Sequence, residues 1–153
     1  DLGSARAAYA DLLQFVRTRS RPWVDSGVER AGDDPLTLRE VGDLTIQLHA
    51  AEALVRRAGR KVDAAAAEPT EDSIAKASIA VAEARVLTTE VSLAAGSKLF
   101  ELAGSQSTLS EHNLDRHWRN ARTHTLHDPV RWKYHAIGNY VLNGKKPPRH
   151  GAI

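Results

Sequence analysis

The segment that most limits the possible folds of this chain lies between two helix-ending signals, Thr70 and Gly104. Thr70 is a good N-cap residue, and a glycine just past the last apolar position commonly ends a helix. Between them, apolar side chains recur every three or four residues, and more alanines and leucines lie on the other faces. The pattern predicts one long central helix over residues 71–103 that packs on more than one side. Its main stripe comprises Ile74, Ala77, Val81, Ala84, Thr88, Val91, Ala95, Leu99 and Leu102.

Two further segments before it also show helical periodicity. Residues 1–20 predict an amphipathic helix that Pro22 ends, because proline cannot continue a helix. A second long helix begins either at Asp34-Pro35 or at a capping box that starts at Thr37, and it runs to about residue 66. Its apolar positions follow a heptad spacing, which favours packing against a neighbouring helix.

The remainder of the chain predicts a broken fourth helix and a tail. Residues 111–123 and 129–142 each have helical periodicity, with Asp128 as cap and Pro129 as first residue of the later piece. No stretch alternates as a strand would. The sequence therefore predicts an all-α fold, an antiparallel up-down helical bundle over residues 1–142. A basic C-terminal tail is expected over residues 143–153.

Composition excludes several classes of protein. The chain has no cysteine, which excludes disulfides and thiolate metal sites, and no apolar run approaches the ~18 residues of a membrane span. The formal net charge of +2 is too small to indicate a nucleic-acid partner. We therefore expect a cytoplasmic protein with neither a membrane nor a nucleic-acid partner. The chain also lacks methionine, and its first apolar stripe begins at Leu2, so we expect it to be part of a longer protein.

The richest polar chemistry lies in residues 110–130, around Trp118. This stretch holds four of the seven histidines, three arginines at intervals of three, and Asn120. His124 and His127 have a spacing that two metal ligands on one helix face would have, but a metal site needs three or four ligands. A nucleic-acid surface and a purely structural polar network are further interpretations of the stretch.

Two other places offer groups that bind anions. Arg21 ends an arginine cluster at the close of the first predicted helix, where cations also suit the helix dipole without any ligand. Gly104, Ser105 and Gln106 follow the central helix, and such a loop is either an ordinary connection or a phosphate-binding one.

The sequence RHWRNARTHTLHDP, residues 116–129, resembles the C-terminal signature of the reduced-flavin-dependent monooxygenases built on the acyl-CoA dehydrogenase fold. That group includes the dibenzothiophene monooxygenases and the sulfur-acquisition oxidoreductases. The likeness extends over nearly the whole chain, through Arg-Pro-Trp at 21–23, Phe-Glu-Leu-Ala-Gly at 100–104, Gly-Asn at 138–139 and Leu-Asn-Gly at 142–144.

The resemblance implies the C-terminal domain of a flavin-dependent oxidoreductase, with N-terminal domains absent from this chain. It implies oxygenation of a small organic substrate, with sulfur compounds included in that class, by means of FMN, or alternatively FAD. It also implies a separate flavin reductase. It also implies a homo-oligomer, a dimer or tetramer, formed through the bundle. His127 would be the catalytic group at the flavin's reactive edge. The implied cofactor-binding residues are Arg21, Gly104, Ser105, Gln106, Asn120, Arg122 and His124.

Two alternatives remain beside the monooxygenase. One is an acyl-CoA dehydrogenase C-terminal domain that uses FAD. Such enzymes commonly place a catalytic glutamate in the turn after this helix, and here Asp128 and Pro129 occupy the matching positions, so that base would be missing. The other alternative is a helical interaction module without chemistry.

Overall fold

The computed structural model describes residues 1–150 and contains five α-helices and no strand in that range. The helices are α1 (Leu2–Thr18), α2 (Pro35–Ala67), α3 (Glu71–Ala103), α4 (Asp115–Leu126) and α5 (Val130–Asn143). Short 3₁₀ turns occupy the connections between α1 and α2 and between α3 and α4. The predicted all-α fold is confirmed. None of the helices in the described part is long and apolar enough to cross a membrane.

The central helix α3 has the predicted bounds because both of its ends are fixed by local chemistry. Thr70 accepts a hydrogen bond from the Ser73 backbone N–H, and the Ser73 hydroxyl accepts one from the Thr70 N–H, which completes a capping box. At the other end Gly104 has φ of +79° and ψ of −178°, a conformation that essentially only glycine adopts. Along its length α3 packs against each of the other four helices.

Ion pairs and hydrogen bonds between helices establish the direction of each one. Glu40 and Arg57 of α2 pair with Lys98 and Glu83 of α3, so residue numbers rise on one helix as they fall on the other. In the same way α1 is antiparallel to α2, because Arg6 pairs with Glu52 and Tyr9 bonds Thr45. Helices α1 and α3 consequently run in the same direction, as an up-down-up arrangement requires.

The core lies where α1, α2 and α3 meet. Leu12 and Leu99 are fully buried there, and the surrounding cluster is mainly alanine, leucine and valine. The small residues allow the helices to approach closely. Helix α2 begins at the first of its two predicted starts, because Asp34 Oδ1 accepts hydrogen bonds from the Leu36 and Thr37 N–H groups.

Helices α4 and α5 together form the predicted broken fourth element, but their bounds differ from the prediction. Asn113 adopts a left-handed conformation, with φ of 47°, so α4 begins at Asp115 and not at residue 111. It also continues to Leu126, three residues beyond the predicted end. Gly96 of α3 lies under Trp118, and an added Cβ there would be 3.3 Å from the Trp118 Cα. This small residue lets α4 approach the central helix.

The turn between α4 and α5 corrects a second prediction. Asp128 does not cap α5; the N-cap position is Pro129, and no side chain caps the helix. The Asp128 carboxylate instead pairs with the buried Lys133, because a desolvated ammonium needs a nearby negative charge. Helix α5 ends at Asn143, one residue into the predicted tail, and Lys146 then pairs with Glu71 and Asp72. Residues 151–153 of that tail lie outside the described residues.

Candidate functional site

The predicted site residues fall into two groups at opposite ends of α1. Arg21, Gly104, Ser105 and Gln106 line one cleft at the C-terminal ends of α1 and α3. His124 contacts Asp1, which precedes α1, and His127 follows one helical turn later. Because α1 has 17 residues, the two groups lie about 25 Å apart at a rise of about 1.5 Å per residue. Within one copy of the chain, therefore, the two groups do not form one small contact surface.

The cleft has a volume of about 380 Å³, with two opposing walls and a third side formed by Ala31, Asp34 and Thr37. One wall is the segment after α1, with Arg19, Arg21 and Trp23, whose indole is 70% exposed. The other wall is the loop after α3, where Gly104 turns the chain and presents Ser105 and Gln106. The walls meet because α1 and α3 are parallel, and the Ser20 hydroxyl donates a hydrogen bond of 3.2 Å to the Ala103 carbonyl.

The charges in this cleft leave its arginines available. Within residues 1–150, neither Arg19 nor Arg21 forms an ion pair or donates a hydrogen bond from its guanidinium group. The nearby Glu101 is occupied by Lys98 at 2.8 Å. Hydrogen bonds to Glu101 and then to Glu40 raise the pKa of the Lys98 ammonium, which keeps that pair charged. The Arg19 guanidinium lies over the Phe15 ring, 5.9 Å from its centroid, but both arginines keep their N–H donors. With a hydroxyl and an amide on the opposite wall, these donors match what a phosphate group requires.

The turn between α4 and α5 presents His127. The His127 backbone N–H donates to the His124 carbonyl, and Pro129 follows with φ of −70°. The side chain of His127 is exposed and makes no hydrogen bond or ion pair with any other residue of the described chain. An imidazole so placed satisfies no buried group, which removes the purely structural explanation for that residue.

His124 is in a different situation, because Asp1 holds it. Its Nδ1 lies 2.7 Å from Asp1 Oδ1, while the ring itself stays largely exposed. The Asp1 carboxylate is buried and also accepts bonds from Arg85, at 2.6 Å, and from Thr89, at 3.1 Å. One end of α4 is thereby fixed to both α1 and α3.

A second carboxylate of α1 fixes the other end of α4. Asp11 Oδ2 lies 2.6 Å from Arg116 Nη2 and 2.7 Å from His117 Nε2, and His117 is buried. Asn120 and Arg122 lie on exposed positions of α4, and within the described residues neither side chain forms a hydrogen bond with His127. They are available to a ligand or a neighbouring chain, and they do not orient the imidazole directly.

Sequence reasoning missed the charged groups beneath the turn. Arg85 and Lys133 reach Asp1 and Asp128 from the central helix and from α5, and the Lys133 side chain is only 4% exposed. The available signal was Arg85 itself, a charged residue between Ala84 and Val86 in a stretch where most side chains are small or apolar and Glu83 is the nearest other charge. Lys133 carries no such signal, since its neighbours in sequence are exposed aromatic residues.

Two further features complete the surface. A cavity of about 590 Å³, largely apolar, lies between α5 and residues 145–150, with Trp132, His135 and Pro147 among its walls. Across residues 1–150, no group of three or more His, Asp or Glu side chains is arranged to hold a metal ion.

Comparison with known proteins gives a family match over most of the chain. The model of the acyl-CoA dehydrogenase C-terminal domain matches residues 1–132. Dibenzothiophene monooxygenase of Mycolicibacterium goodii is 39% identical over 149 residues, which make up 95% of this chain and 36% of that protein. SfnC of Pseudomonas putida, described as a probable FMNH2-dependent monooxygenase, is 36% identical over 95% of this chain and 38% of its own length.

A solved structure agrees with these sequence matches. FMN-bound TdsC from Paenibacillus sp. A11-2 superimposes with a TM-score of 0.94 and 34% identity, over 99% of this chain and 39% of that one. The chain thus spans well under half of the length of each of these relatives.

Proposed function

The chain belongs to the acyl-CoA dehydrogenase C-terminal domain family, and from that membership we infer that it is the C-terminal helical domain of a flavin-dependent monooxygenase. The proposed reaction joins one atom of O2 to a small organic substrate and releases the other as water. Reduced FMN, when bound, would supply the two electrons and two protons that this balance requires. An organic sulfur compound is the substrate class that the relative acting on dibenzothiophene favours.

The observation that carries this proposal is the exposed, uncommitted imidazole of His127. A group with no structural role, held on a short turn between two anchored helices, is well placed to exchange a proton with a ligand that covers the turn. Histidine does this near neutral pH. We assign His127 as the catalytic acid–base group at the reactive edge of the flavin.

The FMN phosphate is assigned to the cleft at the other end of α1. Arg21 and Arg19 would pair with the phosphate, and Ser105 and Gln106 would add hydrogen bonds from the opposite wall. Gly104 contributes by turning the loop toward the cleft. These donors fit one terminal phosphate, which supports FMN over the larger FAD.

The separation of the two groups supports a homo-oligomer. The phosphate and the reactive edge of one FMN lie closer together than the length of α1, so one copy of this chain cannot provide both groups to the same flavin. We propose that the cleft of one protomer and the turn of another complete each site, in a dimer or tetramer. The exposed apolar side chains of α2 offer a surface for such contacts: Leu36, Leu38, Ile46, Val55 and Val62.

The same chemistry requires a partner that reduces flavin. A monooxygenase that consumes reduced FMN in each turnover needs a flavin reductase to supply it, and we propose that both proteins work in the cytoplasm.

The dehydrogenase alternative is disfavoured by Asp128. Its carboxylate is committed to Lys133 at 3.1 Å and lies 3.8 Å from Arg85, so it is not free to act as a base.

Titration and turnover of the intact protein test the proposal. We expect FMN to bind more tightly than FAD, measured by quenching of flavin fluorescence. With reduced FMN and ¹⁸O₂, mass spectrometry should find one labelled oxygen in the product of an organic sulfide. Binding of neither flavin would indicate the interaction module, and oxidation of an acyl-CoA with FAD would indicate the dehydrogenase.

A further inference from the structure

Five ionisable side chains form a continuous chain beneath the turn that carries His127. Lys133 Nζ lies 3.1 Å from Asp128 Oδ1, and Asp128 Oδ2 lies 3.8 Å from Arg85 Nε. Arg85 Nη1 then reaches Asp1 Oδ2 at 2.6 Å, and Asp1 Oδ1 reaches His124 Nδ1 at 2.7 Å. We call this set the turn network. It contains two carboxylates, one guanidinium and one ammonium, together with the imidazole of His124.

The network is arranged to hold the backbone on both sides of His127. His124, three residues before, is tied to Asp1, and Asp128, directly after, is tied to Lys133. A single guanidinium on the central helix, that of Arg85, reaches toward both carboxylates. One residue of α3 therefore ties the turn between α4 and α5 to the central helix. The exposed imidazole of His127 lies on that turn.

Because Lys133 is buried, moving Asp128 and the turn away from it would cost free energy. Lys133 is 3% exposed, and a buried ammonium is tolerated only with a partner that offsets its desolvation. If the turn moved away, that ammonium would lose the nearby negative charge of Asp128. The Arg85 Nε is also buried and makes no hydrogen bond within residues 1–150, since 3.8 Å is too long for one. Any outward movement of Asp128 would isolate it further.

We propose that Arg85, Asp128 and Lys133 are positioning residues for His127, which fix the turn so that the imidazole meets the flavin at a defined place. This rests on the proposed function, because it assumes that His127 acts on a ligand. None of the three residues is assigned a contact with substrate or flavin. Their effect passes through the backbone of the turn, and a misplacement of about 1 Å can cost about 100-fold in rate.

A charge-neutral double variant of the intact protein tests the proposal. Asp128→Asn/Lys133→Met removes both charges of the pair together, whereas a single substitution would remove one and keep the other. Asp72→Asn/Lys146→Met is the matched control, since it makes the same chemical changes in an exposed pair at the start of α3. Two readouts are needed: steady-state turnover with FMN affinity, and hydrogen exchange of the amides in residues 126–130.

The expected result is a split between catalysis and binding. In the Asp128/Lys133 variant, kcat should fall about 10- to 100-fold with FMN affinity unchanged, and exchange at residues 126–130 should become faster. The control should match the wild type in both. Unchanged exchange would overturn the proposal, and so would faster exchange with wild-type kcat or an equal loss of FMN affinity. The exchange readout does not depend on activity, so it remains decisive if the wild-type protein proves not to be a monooxygenase.

Discussion

Replacing Gly96 with alanine should weaken the attachment of α4 to the central helix. The added methyl would lie 3.3 Å from the Cα of Trp118, closer than ordinary contact, and 3.5 Å from its backbone nitrogen. These are backbone atoms of α4, so no side-chain rotation relieves the contact and the helix must shift. Overpacking of this kind costs about 1–3 kcal/mol, whereas alanine in a helix interior gains about 0.5–1 kcal/mol over glycine. The free energy of unfolding should therefore fall by at most about 2.5 kcal/mol.

Gly59→Ala is the matched control for this substitution. Gly59 also lies inside a helix, α2, but an added Cβ there would meet nothing within 4 Å. The free energy of unfolding of Gly59→Ala should therefore rise by about 0.5–1 kcal/mol, the advantage of alanine over glycine inside a helix. Urea unfolding of the intact protein, followed by circular dichroism, measures both. If Gly96→Ala is as stable as Gly59→Ala, the close approach of α3 and α4 described here is incorrect.

Two further predictions concern charge. Arg21→Ala should weaken FMN binding because it removes a guanidinium from the cleft assigned to the phosphate. Arg17 lies outside the cleft, so Arg17→Ala should bind FMN as the wild type does. Equal FMN affinities of the two variants in fluorescence titration would refute the cleft assignment. The hydrogen bond from Lys98 lowers the pKa of Glu40, so the stability that this pair contributes is present above the ordinary glutamate pKa and is lost as pH falls through the lowered value. Lys98→Met should flatten that acid-side loss in thermal melts, and an unchanged pH profile would contradict it.

The parts of the fold that sequence predicted correctly are those with local causes. The bounds of α3 follow from Thr70 and Gly104, which act on their own helix ends through a capping box and a glycine-only conformation. Residue types in the sequence allowed two starts for α2, at Asp34-Pro35 or at Thr37. The hydrogen bonds that Asp34 accepts from the Leu36 and Thr37 N–H groups show that the first is correct. The broken fourth helix was predicted because two periodic segments surround Asp128-Pro129.

The errors arise where tertiary contacts outweigh local preference. Aspartate is a residue type that often caps helices, but the carboxylate of Asp128 pairs with the buried Lys133 and does not cap α5. The left-handed Asn113 delays α4, which residue spacing does not reveal. The separation of Arg21 from His127 by the length of α1 also has no counterpart in sequence spacing. It emerges only once α1 and α3 are seen to be parallel.

The most direct test of this account is the His127→Ala variant of the intact protein, with His49→Ala as control. His49 is an exposed histidine on α2, away from both the cleft and the turn. Because the exposed His127 side chain makes no hydrogen bond or ion pair within the described residues, its removal should leave the melting temperature and FMN affinity unchanged. Loss of a positioned acid–base group should lower oxygenation by about 10²–10⁴-fold. Wild-type turnover per folded molecule in His127→Ala would contradict the catalytic assignment.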